Sequence, residues 1–317
     1  MAEAEVLVAD DVRKQYGDAV ALDGVSLSIP TGEVFGLVGP NGAGKTTLVR
    51  ALTGTTRCEG TVRVLGVAPG NVDAARVGLL PQSFRPADRL TARELIAYYA
   101  GLYDDARSVE AVLCDVGLSD DADTWYQNLS GGQQRRACVG TALVNDPDVL
   151  FLDEPTTGID PAGRRSLWTL IDDLAAGGTT VLLTSHSMAE VERLADRVGL
   201  LRTGRLVAVG TPAALIAEHG GDSHLLVDAT RPVDRDALST ALGAEVAERD
   251  GRLVVRDVAL ADVGDVVATL EAEGVDVDSF TWAEPGLEDV YLRLTGESIA
   301  PADATGPATP TETEGER

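Results

Sequence analysis

The chain has 317 residues, of which 44% are hydrophobic, and its formal net charge at pH 7 is −25. No stretch approaches the roughly 20 consecutive apolar residues that a membrane-spanning helix needs, and the N-terminus lacks a secretory pattern, so we expect a cytosolic chain. A field this negative repels nucleic acid and disfavours a general DNA- or RNA-binding role. The three cysteines form no Cys-x-x-Cys pair, so neither a disulfide framework nor a zinc site is expected.

The acidic residues are spread along the whole chain rather than gathered in a tail. We hypothesise that the protein is halophilic, because at about 1 M salt the Debye length falls to about 3 Å and self-repulsion is largely screened. The alternative is an acidic protein of an ordinary cytoplasm, kept soluble by its charge.

The first motif is a glycine-rich loop between a strand-like segment, Glu33–Val38, and a helix-like segment, Lys45–Leu52. It fits G-x-x-x-x-G-K-[ST], the phosphate loop, and a chance glycine-rich turn is the alternative. The glycines let backbone N–H groups approach phosphate oxygens, Lys45 would reach the β/γ-phosphates, and the Thr46 hydroxyl would hold Mg²⁺. The predicted nucleotide-binding residues here are Gly39, Pro40, Asn41, Gly42, Ala43, Gly44, Lys45, Thr46 and Thr47.

From residue 1 to about 220, apolar runs bounded by turn residues alternate with helix-like segments. This pattern is typical of strands buried on both faces of an α/β sheet. The predicted strands are 25–29, 34–38, 77–80, 149–152 and 180–183, followed by a hairpin of 198–201 and 206–209. The predicted helices are 91–103, 107–116, 132–143 and 161–174.

The segment Leu129-Ser-Gly-Gly-Gln133 lies at the start of a predicted helix. Ser130 and two glycines at a helix N-terminus can form a second anion site, although an ordinary helix cap would use the same residues.

A predicted strand, residues 149–152, runs into two carboxylates, Asp153 and Glu154. Side chains at the carboxyl end of a parallel strand emerge where α/β sheets bind ligands. Asp153 would hold Mg²⁺, and Glu154 would orient and polarise the attacking water as general base. A solvated acidic turn is the alternative.

Together and in this order, these three segments resemble the nucleotide-binding subunits of ABC transporters, over residues 5 to about 217. The resemblance implies a P-loop NTPase domain (1–220) with a helical subdomain at about 85–145, and ATP and Mg²⁺ as cofactors. It also implies a head-to-tail dimer with a second copy of the chain, in which each ATP lies between one subunit's phosphate loop and the other's signature segment. The residues of that signature segment are Ser130, Gly131, Gly132 and Gln133.

The resemblance assigns four further residues. Tyr16 matches the aromatic that stacks on adenine, and Gln82 matches the glutamine that senses Mg²⁺ and faces the membrane partner. Asp160 lies in the loop that communicates across the dimer, and His186 matches the switch histidine at the γ-phosphate. The alternatives are a core aromatic, a plain loop residue, a helix N-cap and a structural histidine.

Residues 221–296 read strand, helix, strand, strand, helix, strand, helix, which predicts a small α+β ferredoxin-like accessory domain. We expect its last helix, 287–294, to pack on that small domain. From Glu297 to residue 317 the chain is poor in large apolar residues, so a disordered acidic tail is predicted.

Two segments, Gly286–Gly296 and Asp88–Leu95 with the following tyrosine pair, resemble the ATPase subunits of ABC-2-type exporters. The resemblance implies a motor that drives a separate membrane permease, through a surface near residues 82–99, from the inner face of the cell membrane. One alternative is a soluble ABC-type ATPase of translation or repair, against which the single motif set and the lack of a heptad insertion argue. A ligand-regulated binding module is the other alternative.

Overall fold

The computed structural model describes residues 5–229, 233–249 and 251–297. The strands are β1 (Glu5–Tyr16), β2 (Ala19–Pro30), β3 (Val34–Val38), β4 (Glu59–Val64), β5 (Val77–Leu80), β6 (Val149–Asp153), β7 (Thr180–Ser185), β8 (Arg197–Arg202), β9 (Arg205–Gly210), β10 (His224–Ala229), β11 (Val246–Arg249), β12 (Arg252–Val255) and β13 (Val277–Ala283). The helices are α1 (Lys45–Leu52), α2 (Ala92–Ala100), α3 (Val109–Asp115), α4 (Gly131–Thr141), α5 (Pro161–Ala176), α6 (Met188–Leu194), α7 (Pro212–Leu215), α8 (Arg235–Leu242), α9 (Val263–Ala272) and α10 (Leu287–Thr295).

The main sheet has six strands in the order β5-β6-β7-β3-β8-β9. All neighbours are parallel except the β8–β9 hairpin, and every residue of β3, β6 and β7 is buried. Continuous apolar runs suit such strands because both faces are covered. The predicted α/β fold is confirmed, and the carboxyl ends of β3, β6 and β7 lie side by side at one edge of the sheet.

A second sheet, β2-β1-β4, is antiparallel and was not predicted. Its strands carry polar residues between apolar ones, so that buried and exposed positions interchange along β1. Of this sheet, only residues 25–29 form an apolar run that predicts a strand. Several register shifts further break the alternation that would have marked β1 as a strand.

Helices α2, α3 and α4 pack against one another at the predicted position of the helical subdomain. Their buried side chains belong to the same hydrophobic cluster as those of β6 and β7, so these helices share one core with the main sheet. Capping boxes begin α2, with Thr91 and Glu94, and α4, with Ser130 and Gln133.

The four strands β11-β12-β10-β13 form a third, antiparallel sheet, and with α8 and α9 they follow the predicted strand–helix–strand–strand–helix–strand order. A separate hydrophobic cluster lies beneath this sheet. The proposed domain limits at 220 and 296 stay predictions. The predicted tail lies outside the described residues, apart from Glu297.

The expectation for the last helix was wrong. α10 packs against α6, α7 and the π-helical turn Ile216–Gly220, and Leu287, Val290 and Tyr291 belong to the core of the main sheet. The carboxylate of Glu192 on α6 accepts a hydrogen bond from the backbone N–H of Leu287 at 3.0 Å. Helical periodicity identifies the apolar face of a segment but does not say which surface that face covers.

Candidate functional site

The loop after β3 has a backbone that only glycine fits at two positions. Gly44 has φ of 109°, and a Cβ there would lie 2.4 Å from the carbonyl oxygen of Ala21. A Cβ on Gly39 would lie 2.2 Å from the carbonyl oxygen of Leu201. The loop is therefore held tightly against neighbouring backbone and leads directly into α1, whose N-terminus offers free backbone N–H groups.

Lys45 is the first residue of α1, and Thr46 and Thr47 follow in the same turn. The Lys45 side chain is 5% exposed, and its Nζ donates to the carbonyl oxygens of Gly39 at 2.7 Å and Pro40 at 3.2 Å. The ammonium group thus lies over the predicted phosphate loop.

Four side chains from different segments surround the carboxylate of Glu154. Its Oε2 accepts hydrogen bonds from Gln82 Nε2 at 3.0 Å and Thr157 Oγ1 at 3.2 Å, and it lies 3.6 Å from His186 Nδ1. Its Oε1 lies 3.8 Å from Lys45 Nζ. The structure therefore brings Lys45, Gln82, Glu154 and His186, which are far apart in sequence, to one place.

Burial lowers the pKa of Lys45, while the neighbouring carboxylates of Glu154 and Asp153 oppose that shift. A buried ammonium is stabilised by any further negative charge that comes within a few ångströms. Polyphosphate oxygens would supply that charge, so the environment of Lys45 favours an anionic ligand.

Asp153 ends β6 and is joined to β7 through a threonine. Thr184 Oγ1 donates to Asp153 Oδ1 at 2.6 Å and accepts a hydrogen bond from the backbone N–H of Glu154 at 3.0 Å. One buried hydroxyl thus fixes both carboxylate-bearing residues relative to β7, the strand that His186 follows.

The signature segment lies elsewhere, against the start of α5. Ser130 caps α4, with its Oγ accepting from the N–H of Gln133, and Ser130 and Gly131 are exposed. Gly132 is buried, and a Cβ on it would lie 2.9 Å from Asp160 Oδ2. Asp160 itself caps α5 by accepting from Ala162 and Gly163, and these bonds lower its pKa.

Tyr16 lies at the end of the β1–β2 hairpin beside α1. Its ring is 46% exposed, its hydroxyl is 3.4 Å from Thr56 Oγ1, and the Nζ of Lys14 lies 4.8 Å from the ring centroid. An exposed aromatic face close to the phosphate loop can accept a planar base.

A family model and several known proteins match this chain in sequence. Residues 22–157 match the family model described as ABC transporter. Nod factor export ATP-binding protein I of Rhizobium meliloti is 38% identical over 297 residues, which cover 91% of this chain and 87% of the relative. The chain belongs to the ABC transporter family.

Two further relatives are similar to this chain over nearly their whole length. Daunorubicin resistance ATP-binding protein DrrA3 of Streptomyces coeruleorubidus is 37% identical, covering 94% of this chain and 98% of the relative. Linearmycin resistance ATP-binding protein LnrL of Bacillus subtilis is 33% identical, covering 93% and 99%.

A solved nucleotide-free ATP-binding cassette from an ABC transporter superposes with a TM-score of 0.59 at 27% identity, covering 66% of this chain and 92% of that one. A cassette in its ADP conformation gives a TM-score of 0.60 at 26% identity, covering 68% and 94%. The chain is thus an ATP-binding cassette of the ABC transporter family and an ATPase.

Three residues of this site were not predicted from the sequence: Thr157, Thr184 and Arg135. The available signal for Thr184 was a hydroxyl directly after the apolar run 181–183 of β7. Thr157 follows Glu154 by three residues, but nothing in its spacing shows that its side chain turns back. Arg135 on α4 donates to three successive carbonyl oxygens around Glu154, and no sequence signal distinguishes it from Arg136 beside it.

Proposed function

We propose that this chain is the motor subunit of an ABC-2-type exporter, closing as a head-to-tail dimer on ATP and driving a separate membrane permease. The observation that carries the hydrolytic role is the convergence of Lys45, Gln82, Thr157 and His186 on the carboxylate of Glu154. The names of three relatives, which contain Nod factor export, daunorubicin resistance and linearmycin resistance, favour the export branch.

In the proposed reaction Glu154 holds the attacking water and accepts its proton as the bond to the γ-phosphorus forms. The bond from that phosphorus to the bridging oxygen breaks, and its electrons leave with ADP. Lys45 neutralises charge on the β/γ-phosphates, and His186 contacts the γ-phosphate. Gln82 and Thr157 keep the Glu154 carboxylate oriented while this happens.

The predicted ligand residues suit a magnesium ion that binds together with ATP. Within the described residues no group of three or more His, Cys, Asp or Glu side chains could hold a metal ion alone. The predicted ligands, Thr46, Gln82 and Asp153, offer one carboxylate and neutral oxygens, a set that suits Mg²⁺ because this ion takes one or two carboxylates together with phosphate oxygens. When bound, Mg²⁺ would neutralise charge on the β- and γ-phosphate oxygens.

The position of the signature segment supports the dimer. Ser130 and Gly131 are exposed at the N-terminus of α4, and the next residue, Gly132, lies against Asp160 and Gly163 at the start of α5. A second copy related by a twofold axis would bring its own Ser130–Gln133 over the first copy's ATP, which gives two identical composite sites. Asp160 lies beside Gly132 and would face the partner there.

Adenine would stack on the exposed face of Tyr16. The Lys14 ammonium lies over the same ring, so the base and the lysine would share this aromatic residue. This contact would add affinity without taking part in the reaction.

The permease would dock in a cavity of about 450 Å³ between β5 and the helices α2 and α4. Phe84, Tyr99 and Tyr103 line it, and Tyr98, which is 63% exposed, contacts Tyr99 edge-to-face with ring centroids 5.4 Å apart. An apolar, aromatic groove is typical of helix recognition. Pro81 lines the cavity and precedes Gln82, so a segment in this groove would lie next to the residue that contacts Glu154. Within the described residues, none of the helices is long and apolar enough to cross a bilayer.

Replacing Glu154 by Gln tests the proposal. The amide keeps the shape but cannot take the water proton, so we expect magnesium-ATP turnover to fall by about 10²- to 10⁴-fold while ATP binding is retained. Glu271→Gln on α9 changes an exposed carboxylate far from the site and serves as the matched control. Unchanged turnover in Glu154→Gln would exclude Glu154 as the base.

A further inference from the structure

Glu154 directly follows β6, and its backbone conformation is unusual. Glu154 has φ of 49°, in the left-handed region that side-chain-bearing residues seldom adopt. Its N–H is bound by Thr184, as described above. The carbonyl groups of residues 153–155 lie at or just beyond the end of β6, so they need hydrogen-bond donors from outside the sheet ladder.

Arg135 supplies those donors. Its Nη2 donates to the carbonyl oxygens of Asp153 and Glu154, and its Nε donates to that of Pro155, all at 2.9 Å. Burial lowers the pKa of this guanidinium, yet its planar fork of fixed N–H groups donates to all three carbonyls in one rigid geometry, which a compact lysine ammonium does not reproduce.

Arg135 also belongs to the helix that begins at the signature segment. It lies five residues after Ser130 on α4, so about 7.5 Å of rigid helix separates the two positions. Any displacement of the Ser130 end of α4 therefore moves the donors that hold the backbone of Glu154.

We propose that Arg135 is a positioning residue that sets Glu154 for catalysis and ties it to the signature helix of its own chain. The inference rests on the proposed function, because Ser130 meets a γ-phosphate only in the head-to-tail dimer. In that dimer each chain touches the partner's ATP with Ser130 and hydrolyses its own ATP with Glu154. Arg135 then links the two ATP sites through a single helix.

Arg136, the next residue on α4, provides a matched control. Its Nη1 donates to the carbonyl oxygens of Val116 and Gly117, both at 2.9 Å, and so anchors α4 to the end of α3. The two arginines thus share a helix and a type of contact. They differ in the carbonyl groups that they bind, since only Arg135 binds those of residues 153–155 around Glu154.

The test compares Arg135→Lys with Arg136→Lys in steady-state ATP hydrolysis. A lysine keeps the charge but loses the planar fork, so for Arg135→Lys we expect kcat to fall by about 10- to 100-fold with KM for ATP within about 3-fold. Arg136→Lys should keep kcat within about 2-fold of wild type. Near-wild-type kcat in Arg135→Lys, or equal losses in both variants, would overturn the proposal.

A double-mutant cycle separates positioning from a structural role. If Arg135 acts through Glu154, adding Arg135→Lys to Glu154→Gln should cause no further loss of the residual turnover. An additive loss would contradict the proposal. Arg135→Gln, which keeps two N–H donors without the charge, replaces the lysine variant in both experiments should that variant fail to fold.

Failure of the inference is distinguishable from failure of the proposed function. If Glu154→Gln abolishes turnover while Arg135→Lys does not, only the role of Arg135 is lost. If Glu154→Gln has no effect, the assignment of the base itself is lost.

Discussion

The strands of the main sheet and those of the four-stranded antiparallel sheet (β10–β13, here called the small sheet) differ in burial. β3, β6 and β7 have no exposed residue, and each is followed by a residue of the candidate site. On β13, by contrast, most residues are at least partly exposed, and Phe280 is 49% exposed. Catalytic groups that must meet within 3 to 4 Å need the rigid ends of buried strands. In the small sheet, strand β13 has no buried residue.

The largest expected effect concerns α10, which links the two regions. Leu287→Ala should lower the free energy of unfolding of the main sheet by about 2–5 kcal/mol, because this fully buried side chain leaves a cavity in its core. Leu260→Ala removes a leucine that is 67% exposed and should change stability by less than about 0.5 kcal/mol. Urea unfolding measures both. If Leu287→Ala left the main transition unchanged, α10 would belong energetically to the small sheet.

The next prediction compares the two ends of β7. Thr184 and Thr180 are both buried, and Thr180 Oγ1 accepts from the N–H of Gly32 at 2.9 Å at the far end of the strand. Thr184→Val and Thr180→Val should each cost about 1–3 kcal/mol, since each leaves a polar group unpaired. Only Thr184→Val should also lower kcat, by about 10-fold or more, because Asp153 and Glu154 lose their common partner. Equal kcat in the two variants would show that the hydroxyl of Thr184 serves stability alone.

A salt series tests whether the acidic charge acts on both regions. If the halophile hypothesis holds, the thermal midpoints of both regions should rise as NaCl is raised towards about 1 M, because repulsion among carboxylates is screened. Circular dichroism over the series measures this. Full stability in dilute buffer would reject the hypothesis and favour an ordinary acidic protein.

The smallest effect concerns the cap of α5. The lowered pKa of Asp160 means that the ionised carboxylate favours the folded state above its ordinary pKa of 3.8. That contribution is lost as the pH falls through the lower folded-state value. Asp160→Ala should therefore lower the melting temperature slightly at pH 7, and the difference from wild type should shrink below about pH 4. A difference that stayed constant with pH would mean that ionisation of Asp160 is irrelevant to the cap.

Some parts of the fold and of the candidate site could be predicted from the sequence and others could not, for physical reasons. The motifs at residues 39–47 and 153–154 could be interpreted from sequence because phosphate binding restricts both residue type and local geometry. The antiparallel β1–β2–β4 sheet could not, since its half-exposed strands mix polar and apolar residues. The partners of Thr157 and Arg135 depend on how helices and loops fold back on the sheet, and the docking of α10 depends on which surface was available. None of these follows from local pattern.

The most direct test of the account is magnesium-ATP hydrolysis by purified wild-type protein and by Lys45→Ala. In the proposed mechanism, backbone N–H groups of the phosphate loop and Lys45 bind the polyphosphate beside Glu154. We expect measurable turnover in the wild type and a loss of at least about 100-fold in Lys45→Ala, with the folded state retained by circular dichroism. Equal ATP consumption by the two proteins, or none by the wild type, would contradict the central claim.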